Sequence, residues 1–169
     1  MIGIKPDVYW IKGPWTGKLA ILGRPRGADW LADEVAGWKE AGVDVVVSLL
    51  TSNENSEFGL ASEAEIVKRN GLAFIGFPVS DYSVPRSTVF TRQLVAELKE
   101  QLNRGACVGI HCRQGIGRSS VVAACVLVTS GESTENAFEQ IKTARGVPVP
   151  DTDEQKSWVA SFARKLRPN

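Results

Sequence analysis

The chain has 169 residues, 43% of them hydrophobic, and a formal net charge of +1. These bounds fit one domain, residues 1–169, with a buried core, and they exclude a global field drawing the protein to nucleic acid or an anionic membrane. The longest purely apolar run, residues 121–128, falls well short of the roughly 20 residues that cross a bilayer.

In chain order, residues 8–11 and 18–22 read as short strands separated by the Gly13-Pro14 turn. Residues 29–41 read as a helix, with Trp30, Leu31, Val35 and Trp38 as its buried stripe and Gly42 as its stop. The β-branched run 43–50 has the pattern of a strand buried on both faces. Residues 51–59 are polar and read as a loop. Residues 62–70 fit a short helix capped by Ser62, with Glu65 three positions on. A strand at 72–77, a loop holding Pro78 and Pro85, an amphipathic helix at 87–103 and a strand at 106–111 follow. Residues 119–129 leave no polar face and read as a buried helix. Two more helices are expected near 133–144 and 151–166. Strand and helix alternate from residue 28 onward, which predicts an α/β domain with a central, largely parallel sheet of four or five strands flanked by helices.

The opening MIGIKPDVYW lacks the basic-then-apolar order of a secretory leader, so a cytoplasmic location is expected. Three cysteines, Cys107, Cys112 and Cys125, are an odd number in a chain of this size and do not suggest a disulfide framework. The single histidine, His111, and the cysteine spacing give no zinc pattern. Neither a metal nor a cofactor is expected.

One segment carries chemistry: GIHCRQGIGRSS, residues 109–120. It runs from strand through a glycine-containing loop into a helix, an arrangement whose backbone N–H groups and helix N-terminus can hold an anion. Arg118 can grip two phosphate oxygens at once. Cys112 sits at the mouth of that cradle, among groups that favour thiolate over thiol and so activate it as a nucleophile.

His111-Cys112, five residues, then Arg118-Ser119 resembles the signature of the protein-tyrosine and dual-specificity phosphatases. The resemblance extends over roughly residues 28–165. It implies that Cys112 forms a phosphocysteine. Arg113, Gln114, Gly115, Ile116, Gly117 and Arg118 would bind the phosphoryl oxygens. Ser119 would donate a hydrogen bond to the thiolate, and His111 would hold the loop. The family also supplies an aspartic general acid from a loop about 30 residues upstream. FPVSDYSVP places Asp81 31 residues before Cys112. RGVPVPDTDEQ resembles the segment after the penultimate helix in phosphatases related to the cyclin-dependent kinase-associated phosphatase, where a glutamine orients water; Gln155 is the matching residue. The absence of a Trp-Pro-Asp acid loop and of an Asn-Arg-Tyr segment favours the compact dual-specificity type.

The resemblance implies a metal-independent phosphomonoester hydrolase acting on a phosphorylated protein or peptide, on phosphotyrosine and also phosphoserine or phosphothreonine, as a monomer with no nucleic-acid or membrane partner. The competing readings are a phosphoinositide or RNA 5′-phosphatase, a phosphate-binding pseudo-phosphatase, and sulfur transfer or arsenate reduction. Only Arg113 and Arg118 are basic within the loop, which ranks the polyanionic substrates lower. Cys107 and Cys125 read as core thiols, a disulfide from either to Cys112 being the lesser alternative. Asp151 and Asp153 are rivals to Asp81 for the acid role but read better as helix-start residues, and Arg24, Arg26 and Arg86 read as surface charge or substrate rim.

Overall fold

Five strands pair into a single sheet in the computed structural model, which describes residues 5–167. The strands are β1 (Val8–Ile11), β2 (Lys18–Leu22), β3 (Val45–Ser48), β4 (Ala73–Gly76) and β5 (Cys107–His111), in the order β1-β2-β5-β3-β4. β1 and β2 form an antiparallel hairpin; β2, β5, β3 and β4 are mutually parallel. The expected α/β architecture with a largely parallel sheet is therefore present. Residues 1–4 of the expected domain and of its opening segment, and residues 168–169, lie outside the described residues.

The helices are α1 (Leu31–Glu40), α2 (Ser52–Glu57), α3 (Glu63–Arg69), α4 (Thr88–Asn103), α5 (Arg118–Thr129), α6 (Thr134–Arg145) and α7 (Asp153–Leu166). Strand residues alternate between two cores, as a sheet covered on both faces requires. Leu19, Ile21, Val45, Val47, Val108 and Ile110 pack into one core with α4, α5, α6 and α7. Ala20, Leu22 and Val46 pack into the other with α1 and α3. At the centre of the first core, α5 is buried at every residue from Arg118 to Val128. No helix among the described residues is long and apolar enough to cross a membrane.

Three expectations need correction. Residues 51–59 are not a loop: α2 occupies 52–57, started by a capping box in which Thr51 Oγ1 accepts from the Glu54 N–H and the Glu54 carboxylate accepts from the Thr51 N–H. Ser62 does precede α3, but at ψ 10° its backbone is not in the extended conformation of a capping residue and no side-chain cap forms; Thr51, at ψ 165°, has the extended geometry a cap needs. Trp30 is 52% exposed rather than part of a buried stripe, because it lies in a short 3-10 turn (Ala28–Trp30) ahead of α1, where its ring stacks on the Arg26 guanidinium. Trp38, in contrast, is fully buried.

Candidate active site

Because β2, β5 and β3 are neighbouring parallel strands, the loops after their C-terminal ends meet at one edge of the sheet, where open α/β sheets bind ligands. Residues 112–117 form the middle loop, between β5 and α5. Its Gly115 takes φ +70° and donates its N–H to Cys112 Sγ at 3.3 Å. Gly117 is the residue before α5, and no side chain caps that helix start. The Gly115 N–H thus lies on the Cys112 sulfur at the uncapped start of α5, with the Arg118 cation close enough to interact with it, a setting that suits an oxyanion.

Arg118 is buried and fixed from several directions. Its Nη1 and Nη2 donate to Glu54 Oε1 and Oε2 at 2.7 and 2.8 Å, a two-pronged pair. Nη1 also donates to the Val79 carbonyl at 2.7 Å, and Nη2 lies 3.1 Å from Asp81 Oδ1. Burial alone would raise the Glu54 carboxyl; hydrogen bonds from Arg118 and from the Thr51 backbone, with the guanidinium charge, outweigh it and hold the carboxyl at about 2. Burial likewise opposes the Arg118 cation, but the Glu54 hydrogen bond and electrostatic attraction toward Cys112, Glu54 and Asp81 raise it above its ordinary value.

Asp81 sits in the loop after β4 and reaches the cradle through Arg118. Its Oδ1 accepts from the Tyr82 N–H, and Tyr82 takes the left-handed φ of +57° that turns the chain there. The loop is tied down at Val79 by Arg118 and at Ser83 by Gln155, whose Nε2 donates to the Ser83 carbonyl at 3.0 Å. Gln155 is fully buried, and its Oε1 accepts from the Asp151 and Thr152 N–H groups as half of a capping box on α7. One amide hydrogen of Gln155 is left for a further partner.

His111 is fully buried, with Nε2 against Glu63 Oε1 and its ring 5.8 Å from that of Trp38. Ser119 is also fully buried, and its hydroxyl has no hydrogen-bond partner among the described residues. Arg113 is half-buried at the rim, Gln114 is exposed and Ile116 is half-buried. Cys112, residues 113–118, Asp81 and Gln155 therefore lie in or against one loop cluster, with His111 just before it, and the Ser119 hydroxyl makes no hydrogen bond to the sulfur.

Four residues at the site were not assigned from the sequence. Glu54 anchors Arg118, and Glu63 pairs with His111. Arg145 donates to the Gln114 and Gly115 carbonyls at 3.0 and 3.1 Å, bracing the outside of the loop. Asp151 is more than a helix-start residue: a side chain on Gly117 would collide with its Oδ2 and crowd Gln155 Nε2, so its carboxylate lies directly against the loop. Burial and the nearby Asp81 raise the Asp151 carboxyl, while Arg118 works the other way. The crowding also accounts for glycine at position 117. Cys107 is a half-buried thiol rather than a core one, and it lies at the far end of β5 from Cys112. That separation, roughly 16 Å along an extended strand, is beyond any disulfide. Cys125 is buried, which pushes its thiol up.

A family model described as "Polymorphic toxin system, DSP-PTPase phosphatase" matches residues 20–132. Cyclin-dependent kinase inhibitor 3 of Homo sapiens is 26% identical over 130 residues, covering 76% of this chain and 61% of the relative. The chain thus spans less than two thirds of that relative's length. The structure of kinase associated phosphatase with its catalytic-site cysteine replaced by serine superposes with a TM-score of 0.88 at 21% identity, covering 96% of this chain and 97% of that one. Tk-PTP in its active form gives a TM-score of 0.76 at 26% identity, covering 96% and 99%. With its parallel sheet, its cysteine loop and this family match, the chain belongs to the dual-specificity and protein-tyrosine phosphatase family.

Proposed function

We propose that this protein hydrolyses phosphomonoesters on phosphotyrosine, and on phosphoserine or phosphothreonine, in protein substrates through a phosphocysteine at Cys112, without a metal. The observation that carries this reading is the convergence of Cys112 Sγ, the Gly115 N–H, a Glu54-anchored Arg118 and Asp81 on one loop.

The substrate phosphate sits in the loop against Arg118 and the backbone N–H groups of residues 113–118. The Cys112 thiolate attacks phosphorus, and the bond to the ester oxygen breaks. Asp81 gives that oxygen its proton, so the alcohol leaves neutral. In the second half, the Asp81 carboxylate takes a proton from water, the water oxygen attacks phosphorus, and the P–S bond breaks. The products are inorganic phosphate and the Cys112 thiolate, which accepts a hydrogen bond once the unpartnered Ser119 hydroxyl turns to it. Asp151 and Gln155 lie against the loop at Gly117, and the free amide hydrogen of Gln155, with Asp151 beside it, orients that water. His111, locked by Glu63, keeps the strand end in register with the loop.

The test is phosphate release from phosphotyrosine, phosphoserine and phosphothreonine peptides in the presence of a chelator, for wild type and Cys112→Ser. Release that survives the chelator and disappears in the variant is expected. Release that persists in Cys112→Ser overturns the nucleophile assignment, and release that stops in the chelator overturns the metal-free mechanism.

A further inference from the structure

The rim beside the phosphate loop holds a second cluster that the mechanism above does not use. Arg24, two residues past β2, lies with its guanidinium carbon 3.7 Å from the centre of the Phe58 ring. Arg113, the first residue after Cys112, lies with its guanidinium carbon 5.1 Å from the same centre. One half-buried aromatic ring therefore carries two guanidinium groups, contributed by the loops after β2 and β5, while Phe58 itself follows α2 in the connection after β3.

The backbone under this cluster is built for close approach. Ala28 donates its N–H to the Gly59 carbonyl at 3.0 Å, strapping the Arg24 loop to the Phe58 segment. Gly27 has no room for a side chain, because a Cβ there would collide with the Phe58 carbonyl. Ala28 takes φ +52°, a left-handed conformation unfavourable for a non-glycine residue that the strap holds in place.

The charges are unevenly spent. Arg26 is neutralised by Glu34 at 2.6 Å, and Arg118 by Glu54. Arg24 makes no ion pair among the described residues, and Arg113 has only the exposed Glu57 at 3.7 Å. Stacking engages the flat face of a guanidinium and leaves its N–H edge free, which is the edge that holds phosphate or carboxylate oxygens two at a time.

We propose that Arg24 and Arg113, held on Phe58, form a second anion subsite that takes a phosphate or carboxylate on the same peptide as the phosphate seated at Cys112. This rests on the protein-phosphatase reading and narrows it to substrates with a second acidic group close to the first. A peptide is favoured over a lipid surface because membrane attraction needs several adjacent cations. Here Arg26 is neutralised, and the exposed acids Asp29 and Glu57 follow and precede the two strapped segments.

Binding of fluorescent peptides to Cys112→Ser protein tests the subsite without requiring turnover. A peptide with two neighbouring phosphorylated residues is expected to bind about tenfold more tightly than its singly phosphorylated counterpart. The preference is expected to shrink as salt rises and to vanish in Cys112→Ser/Arg24→Ala, with affinity for the singly phosphorylated peptide unchanged. Arg24→Lys, which keeps the charge but not the flat fork, is expected to restore it only in part. Equal affinity for the two peptides, or a preference that survives Arg24→Ala, overturns the subsite. Arg24-dependent binding to phosphoinositide vesicles that exceeds binding to the doubly phosphorylated peptide overturns the peptide assignment. Hydrolysis of p-nitrophenyl phosphate by wild type and by Arg24→Ala judges the phosphatase reading separately; its failure would leave the binding result standing.

Discussion

Glu54→Gln probes how Arg118 is set, and its cost can be worked from the structure in two ways. The pair is two-pronged at 2.7 and 2.8 Å, with the arginine side chain 1% exposed and the glutamate 9%. Removing one partner of such a buried pair leaves the other charge uncompensated, which costs about 3–5 kcal/mol. Independently, the Glu54 carboxyl is held at about 2 against an ordinary value of 4.5, a difference equivalent to about 3 kcal/mol of folding stability. Glutamine approximates the protonated carboxyl, so the two estimates meet near 3 kcal/mol. The sign follows from the depressed value. The stabilisation is complete above the unfolded value of 4.5 and is lost as the pH falls toward 2. Urea unfolding followed by tryptophan fluorescence should show Glu54→Gln less stable by about 3 kcal/mol at pH 6. The gap should narrow steadily toward pH 3. Tungstate, an oxyanion probe of the loop, should bind more weakly to the variant, because a guanidinium released from Glu54 no longer points one edge at the cradle. A gap below about 0.5 kcal/mol at pH 6, or one that stays constant down to pH 3, would refute the anchoring argument.

The two carboxylates beside the loop should separate kinetically. Asp81→Asn is expected to slow alkyl phosphates more than p-nitrophenyl phosphate, since a poor leaving oxygen depends most on the proton it receives; equal loss across leaving groups, measured as kcat/KM over a substrate series, argues against the acid role. Asp151→Asn is expected to spare formation of the phosphocysteine and slow its hydrolysis, giving a burst of p-nitrophenol followed by a depressed steady rate in stopped flow. Loss of the burst amplitude itself would place Asp151 in the first half of the reaction instead.

What could be read from the sequence follows the range of the interactions involved. The apolar run of α5 announces its own burial, because a helix with no polar face has nowhere else to go. Glycines, prolines and caps mark most element ends for the same local reason, and at the start expected for α4 Ser87 accepts from the Phe90 N–H. Local signals also mislead where two compete. The polar composition of 52–57 hides a helix that buries little besides Glu54, although the Thr51-x-x-Glu54 spacing that starts it is visible in the chain. At Ser62 the same kind of spacing is present, and the backbone angle denies it.

The site divides along the same line. Cys112, Gly115, Gly117 and Arg118 are legible because one short loop must hold them all, so their chemistry is written in adjacent letters. Glu54 lies 64 positions from Arg118 and Glu63 lies 48 from His111, and nothing local marks either acid as the partner of that distant cation or imidazole. The parallel sheet selects them: β3 beside β5 carries the 49–63 connection over the same edge as the phosphate loop, and whichever acids fall under the buried cation and the buried imidazole become their partners. Asp151 is a related case. It reads as a helix-start residue, which its place just before Thr152 also makes it. Gln155 ties that helix start to the acid loop through Ser83, and this bond brings Asp151 against Gly117. A glycine at 117 and an acid at 151 are therefore a matched pair, each legible only once the other is in place.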